Sequence, residues 1–269
     1  MMPKSAGAGT PLTARSPFCN AAFMQKDWLR IAHRGASGTA PEHTRAAFTR
    51  ALDQGVDMIE LDVQLSRDEE LVVVHDFELE RTTSGRGTVR SHDWPALREL
   101  DAGSWFGPEF TGQRMLTLGE VLQIVGERAR LNVEVKPTAG DERLLAEKVV
   151  ALLEECGKLH STIVSCFDFD VLREVRALTA ELKVGLLTHD TDFSRVWSVA
   201  RELRAGSIHP YWALAGPEII RRAGDEGLDV IVWTVNDVDV MTALAAQGVD
   251  GIISDYPERF REVGRPSAG

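Results

Sequence analysis

The sequence predicts an α/β protein: a (β/α)8 TIM barrel with a β-hairpin extension of its second strand and a small insertion after that hairpin. Three observations carry this reading. From Trp28 onward, short β-rich apolar runs alternate with longer amphipathic stretches, the pattern of parallel strands joined by helices. The chain has 269 residues and 43% hydrophobic content, which suits one domain of the larger α/β kind. Nine candidate strands occur, and they reduce to the eight of a closed barrel once one close pair is read as a hairpin.

The candidate strands are 29–33, 57–65, 71–75, 131–136, 162–166, 183–187, 206–209, 229–234 and 250–254. Only Ser66 to Glu70 separate the second from the third, whereas a parallel crossover needs about a dozen residues or more. The 71–75 arm therefore folds back antiparallel along the end of the second strand. A turn centred on Asp68 and Glu69 places His75 opposite Asp62. Helices are expected over 42–54, 117–128, 141–155, 168–179, 192–203, 216–226 and 236–246, with Pro217 in the first turn of its helix. Residues 76–116 show no clear strand and contain Gly85, Gly87, Gly103, Gly107 and Gly112 with Trp94, Trp105 and Phe106. A stretch this long is a functional loop or a small subdomain. Its aromatics are expected to pack it onto the barrel mouth, with substrate contact the second reading. One domain over 27–262 is expected, after a loose tail over 1–26 and before a frayed Gly264 to Gly269. Met24, just ahead of the ordered pattern, is a candidate start of translation.

Composition limits the partners. The formal net charge is −11, which argues against nucleic acid and against stable docking on anionic membranes. No apolar run reaches membrane-spanning length, and the N-terminal residues lack the compact apolar stretch of a signal peptide. The cytoplasm is the default location. Cys19, Cys156 and Cys166 are too scattered for a disulfide framework and read as ordinary reduced thiols. A small-molecule substrate fits this composition, and no reading of oligomeric state follows from it.

Strand alternation gives the sharpest chemical signal. In Ile59-Glu60-Leu61-Asp62-Val63-Gln64-Leu65 the apolar residues share one face and the polar residues the other. With the apolar face on the helices, Glu60 and Asp62 point to the barrel axis near its C-terminal end, where active sites of this fold lie. Leu131-Asn132-Val133-Glu134-Val135-Lys136 repeats the pattern and projects Glu134 and Lys136 inward. Buried carboxylates are costly unless paired or bound to a cation. Three of them form an all-oxygen site for a hard divalent cation, Mg²⁺ or Ca²⁺ before zinc. The same spacing also suits a structural salt-bridged cluster of Glu60 and Asp62 with Arg34 and Lys136. The hairpin tilts the balance by bringing His75 to the carboxylates, while Ile31-Ala32-His33-Arg34-Gly35 delivers His33 and Arg34 to the same mouth. A cation, Arg34 and Lys136 to neutralise phosphate oxygens, with two histidines to take and give protons, make up the chemistry of phosphoryl transfer.

These residues resemble the glycerophosphodiester phosphodiesterase family. The matching segments are His33-Arg34-Gly35, Pro41-Glu42-His43-Thr44, Glu60-Leu61-Asp62, His75-Asp76 and Glu134-Val135-Lys136. Weaker matches are Ser165-Cys166-Phe167-Asp168, Trp233-Thr234-Val235-Asn236 and Ser254-Asp255-Tyr256-Pro257. Each segment alone is common, but the ordered set is specific. The resemblance implies an eight-stranded barrel, His33 and His75 as the acid–base pair, and Glu60, Asp62 and Glu134 as metal ligands. It further implies Arg34 and Lys136 on the phosphate, with Phe167 and Trp233 lining the alcohol or glycerol pocket. The implied reaction hydrolyses a glycerophosphodiester to glycerol 3-phosphate and an alcohol. His43 stands where many members carry Asn, and a supporting role is expected for it. Gly119 stands where the family often has an acidic residue, at some cost in helix stability. His209 faces the mouth on this reading, while His92, His160 and His189 are surface or structural. The alternatives are a related phospholipase D-like barrel that acts on lysophospholipids and releases a cyclic phosphate, and a non-catalytic phosphodiester-binding barrel.

Overall fold

The computed structural model describes residues 28–264. The expectations for the N-terminal tail, Cys19, Met24 and residues 265–269 fall outside them. In chain order the strands are β1 (Leu29–His33), β2 (Met58–Leu65), β3 (Leu71–Val73), β4 (Leu116–Thr117), β5 (Arg130–Val135), β6 (Thr162–Cys166), β7 (Lys183–Thr188), β8 (Ser207–Pro210), β9 (Asp229–Val232) and β10 (Gly251–Ser254). Eight of them pair in parallel in the order β1-β2-β5-β6-β7-β8-β9-β10, and β10 returns to β1 to close the barrel. The helices are α1 (Arg45–Gln54), α2 (Trp94–Arg98), α3 (Leu118–Val125), α4 (Glu142–Glu155), α5 (Phe169–Leu178), α6 (Ser194–Leu203), α7 (Pro217–Asp225) and α8 (Val238–Gln247). After β10 a short 3-10 segment, Pro257–Arg261, stands in place of a full helix. No described helix is long and apolar enough to cross a membrane.

The period-2 pattern explains which side chains meet inside. Ile59, Leu61, Val63, Leu131, Val133 and Val135 pack outward with helix residues such as Phe48, Leu145 and Leu172. The inward face begins with a plug of Ile31, Met58, Ile163, Ile231 and Ile253. Two residues further along those chains stand His33, Glu60, Ser165, Trp233 and Asp255. The apolar plug thus seals the barrel below and sets a polar layer directly above it.

The β1–α1 loop also has a local cause. Gly35 has φ +84°, and a Cβ there would lie 2.7 Å from the carbonyl carbon of Ala47. Only glycine lets the loop settle on the start of α1. Thr44 caps that helix through the Ala47 N–H, so helix begins at Arg45 rather than at 42. Arg34 and His43, with φ 56° and 60°, both hold left-handed conformations in the same loop.

The hairpin forms, with a different register from the one expected. Val63 pairs with Val73 and Leu65 with Leu71, so the turn centres on Asp68 alone. Ser66 Oγ donates to Asp68 Oδ1 at 2.6 Å, and Glu69 takes a left-handed φ of 65°. His75 is therefore offset by one residue from the position opposite Asp62, and the strand has already ended at Val73. β4 was not foreseen: it pairs Leu116 with Val73 and Thr117 with Val72. Its end is fixed by a capping box in which Thr117 and Glu120 bond each other's backbone N–H, starting α3.

The 76–116 segment has a small core of its own, in which Leu79, Val89, Leu97, Ala102 and Met115 pack with Val72 and Val74 of the hairpin. Trp94 joins that core. Trp105 and Phe106 instead stack edge-to-face on each other and on Phe110, with the Arg50 guanidinium of α1 over the Phe110 ring. These aromatics hold the insertion to itself and to α1.

Candidate active site

Glu60 and Asp62 of β2 and Glu134 of β5 converge because Asp62 pairs with Glu134 and Glu60 with Asn132 across the parallel ladder. One carboxylate oxygen from each lies within 4.8 Å of the others. Both Asp62 oxygens are buried with no hydrogen-bond partner. The cations nearest them are Arg34 Nε at 3.3 Å and Lys136 Nζ at 3.2 Å, the latter also 2.5 Å from Glu134 Oε1. Burial pushes the Glu60 carboxyl well above its usual range, and the charges of Asp62 and Glu134 add to this. Burial and Asp62 raise Glu134 to about 7. Asp62 goes the other way: burial opposes its charge, but Arg34 and Lys136 overcome it and hold the group well below the usual range. Three crowded carboxylates, one with both oxygens unsatisfied, are the donor set a hard divalent cation takes. The residues fit such an ion.

Two histidines flank this cluster, and each has a carboxylate behind it. His33 Nδ1 donates to Asp255 Oδ1 at 2.6 Å, leaving Nε2 facing Glu60 Oε2 at 3.8 Å. His75 Nδ1 donates to Asp76 Oδ1 at 2.6 Å. Burial lowers the pKa of both rings, which favours the neutral imidazole with its proton on Nδ1. Asp255 is itself held by Ser37 and Asn236. Burial raises its carboxyl, yet the hydrogen bond from His33 and these partners bring it down to about 2.

His75 reaches the site by a route outside strand pairing. The Gln64 side-chain amide donates to the carbonyls of Val74, His75 and Asp76 at 3.2, 3.0 and 2.8 Å. Gln64 continues the inward face of Glu60 and Asp62, so β2 itself holds the turn that carries His75. From the insertion, Arg81 makes two bonds to Asp76 and two to Glu42, and Glu42 accepts from Arg34 at 2.9 Å. One guanidinium thereby joins the partner of His75 to the partner of Arg34.

His33, Arg34, Glu60, His75, Glu134, Lys136, Phe167 and Trp233 all border one cavity of about 100 Å³, and Asp62 lies buried beside them. The Trp233 indole N–H donates to the His209 carbonyl, and its ring meets Phe167 edge-to-face. His43 sits behind the cluster and accepts the Asp62 backbone N–H at 3.2 Å. His209 is placed differently from expectation. It is fully buried inside the barrel against Ser207, where Gly185 leaves room for its ring, and burial lowers its pKa to about 3. Of the cysteines, Cys166 is buried with its thiol pushed up to about 12, and Cys156 is free and exposed.

Sequence reasoning had not assigned roles to Asp255, Gln64 or Arg81. Asp255 had a signal: it follows the last strand, which in a closed barrel must lie beside the first and hence beside His33. Gln64 had one too, in the alternation itself. Arg81 had none, because nothing local says which side of the insertion folds onto the mouth.

Residues 33–259 match the model of the glycerophosphoryl diester phosphodiesterase family. The chain belongs to that family. It is 39% identical over 231 residues to a glycerophosphodiester phosphodiesterase of Caldanaerobacter subterraneus subsp. tengcongensis, covering 86% of this chain and 95% of the relative. A Bacillus subtilis glycerophosphodiester phosphodiesterase is 34% identical, with 87% and 86% covered. Among solved structures, an Oleispira antarctica phosphodiesterase in complex with the product sn-glycerol-3-phosphate superposes with a TM-score of 0.83 at 31% identity, covering 87% of this chain and 95% of that one. A glycerophosphodiester phosphodiesterase from Agrobacterium tumefaciens gives 0.77 at 33% identity, with 87% and 98% covered. This family member is thus a phosphoric diester hydrolase on a (β/α)8 barrel.

Proposed function

We propose that this phosphodiesterase hydrolyses a small glycerophosphodiester to glycerol 3-phosphate and an alcohol, using His33 and His75 as the acid–base pair and a divalent cation, Mg²⁺ or Ca²⁺, held by Glu60, Asp62 and Glu134. On this reading residues 27–262 are one catalytic domain working in the cytoplasm, as the net charge of −11 and the unpaired Cys156 and Cys166 suit. The observation that carries the reading is the pair of His–Asp couples whose rings border one cavity together with the carboxylate cluster. Held by these three carboxylates, such a cation would supply positive charge for the phosphate oxygens. Arg34 and Lys136 lie beside the same carboxylates and add fixed positive charge for the phosphate. One histidine accepts the proton of the attacking water at Nε2 as its oxygen bonds to phosphorus. The other donates a proton to the alcohol oxygen as the P–O bond breaks and the electron pair leaves with that oxygen. Asp255 and Asp76 fix the rings and steady the charge that appears on them. Phe167 and Trp233 provide the apolar wall for the organic part of the substrate. The Oleispira relative with bound sn-glycerol-3-phosphate supports the nature of the product.

The test is to strip the purified protein of metal and assay glycerophosphodiesters with Mg²⁺, Ca²⁺ or Mn²⁺, identifying phosphorus products by NMR. Glycerol 3-phosphate is expected only when a divalent ion is present. Glu60→Gln and Glu134→Gln are expected to abolish that turnover with the circular dichroism spectrum unchanged. Full activity in excess chelator would sink the metal assignment. A cyclic phosphate as end product would replace water attack with attack by the substrate's own hydroxyl.

A further inference from the structure

Two cavities meet at the carboxylate cluster. The inner one, of about 100 Å³, contains both His33 and His75. From it an outer groove of about 420 Å³ runs between the turn after β3 and the loop after β6. His75, Glu134, Lys136 and Phe167 border both, whereas His33 borders only the inner one. A phosphodiester has two ester arms, and two spaces joined at one phosphate position can take one each. In an in-line displacement the attacking and leaving oxygens stand on opposite sides of phosphorus, so base and acid must do the same. The arm in the groove lies beside His75 and away from His33; taken as the departing alcohol, it has His75 as its proton donor.

The walls of the groove indicate what kind of alcohol it takes. Phe77 and Phe167 are 44% and 38% exposed, two of the few large hydrophobic side chains left open among the described residues. Beside them stand Asp76, Glu78 and Asp168. Asp76 is committed to His75 and Arg81. Glu78 and Asp168 form no ion pair among the described residues. The one basic side chain bordering the groove is Lys136 at its inner end, already against Asp62 and Glu134. Open aromatic faces beside uncompensated carboxylates attract an organic cation, and a quaternary ammonium above all, because the ring quadrupole and the carboxylates act in the same direction. A neutral polyol gains from neither.

Resting on the hydrolytic reading above, we propose that this groove is the leaving-alcohol subsite and that it selects a cationic amino alcohol of the choline class. Phe77 and Glu78, contributed by the start of the insertion, are its specificity residues, with Phe167 and Asp168 opposite.

The experiment compares kcat/KM of the metal-supplied enzyme for three substrates: glycerophosphocholine, glycerophosphoglycerol, and the glycerophosphodiester of 3,3-dimethylbutanol, which has the shape of choline without its charge. Glycerophosphocholine is expected to be favoured over the uncharged isostere by about fivefold or more. Phe77→Leu, Glu78→Gln and Asp168→Asn are each expected to shrink that ratio, roughly two- to fivefold per residue. Asn still caps α5, so the Asp168 variant keeps its helix. A wild-type ratio near one overturns the proposal. So do variants that slow both substrates equally and leave the ratio intact. If no substrate yields glycerol 3-phosphate, the hydrolytic reading itself fails; if all are cleaved at equal rates, that reading stands and only the groove assignment is lost.

Discussion

A histidine at a strand end serves as acid or base only when its ring is fixed and its tautomer set. In this chain Asp255 does that for His33 and Asp76 for His75, each at 2.6 Å from Nδ1. Burial disfavours the charged form of both rings, so the one that acts as base presents a bare Nε2, while the one that acts as acid must carry a proton there, a charge that the carboxylate behind it steadies. His33→Ala and His75→Ala are each expected to lower kcat by about 10²- to 10⁴-fold in steady-state assays. Asp255→Asn, which retains the shape but not the charge behind His33, is expected to cost less than His33→Ala and more than a surface change. A rate left intact by either histidine substitution would rule out the two-histidine scheme. Glu60, Asp62 and Glu134 were legible in the sequence because the side-chain period of a strand is fixed at two. Asp255 was harder to see, since its partner lies more than two hundred residues away and only closure of the barrel joins them.

At the scale of elements, the hairpin shows both the reach and the limit of pattern reading. The short gap at Ser66 to Glu70 forced an antiparallel return, and the return is there. The register was off by one because the turn is shaped by the Ser66–Asp68 bond and a left-handed Glu69, neither of which is announced by an Asn-Gly or Asp-Gly signal. β4 escaped notice for a related reason: two residues have no period, and they pair only because the insertion folds back to them. What holds His75 in place is Gln64, through three carbonyls of the turn. Gln64→Leu is expected to destabilise the fold by about 1–3 kcal/mol, the cost of leaving buried polar groups unpaired, as read by urea midpoints. It is also expected to reduce kcat more than it raises KM, because the acid–base turn is loosened while the phosphate contacts remain. Equal kcat in the two proteins would show that the turn is held without Gln64.

On the scale of the whole molecule, Arg81 ties the insertion to the barrel mouth. Asp76 is held at about 2 by its hydrogen bond to Arg81, with burial opposing and His75 assisting. Burial pushes Glu42 up, but Arg81 and Arg34 bring it down to about 2 as well. Both carboxyls have folded values below the unfolded ones of about 4. The folded state therefore binds fewer protons, and this stability is fully present above about pH 5 and is lost as pH falls through about 2. Arg81→Ala is expected to cost about 1–2 kcal/mol at pH 7, discounted for a half-exposed guanidinium. The deficit should shrink in urea titrations repeated between pH 4 and pH 2. A deficit that does not change with pH would mean that Arg81 acts by packing alone.

By itself the sequence determined the alternation of strands and helices, the inward carboxylates, His33 at its strand end and the hairpin that brings His75 back to the mouth. These follow from local geometry: the strand period, the length of a crossover and the preference of buried charge for a partner. The tertiary structure alone decided which carboxylate stands behind His33 and which face of the insertion meets the mouth. Those depend on contacts between residues far apart in the chain, formed only when β10 returns to β1 and the insertion lands on α1. Local pattern announces the closed barrel but not which side chains its closure brings into contact.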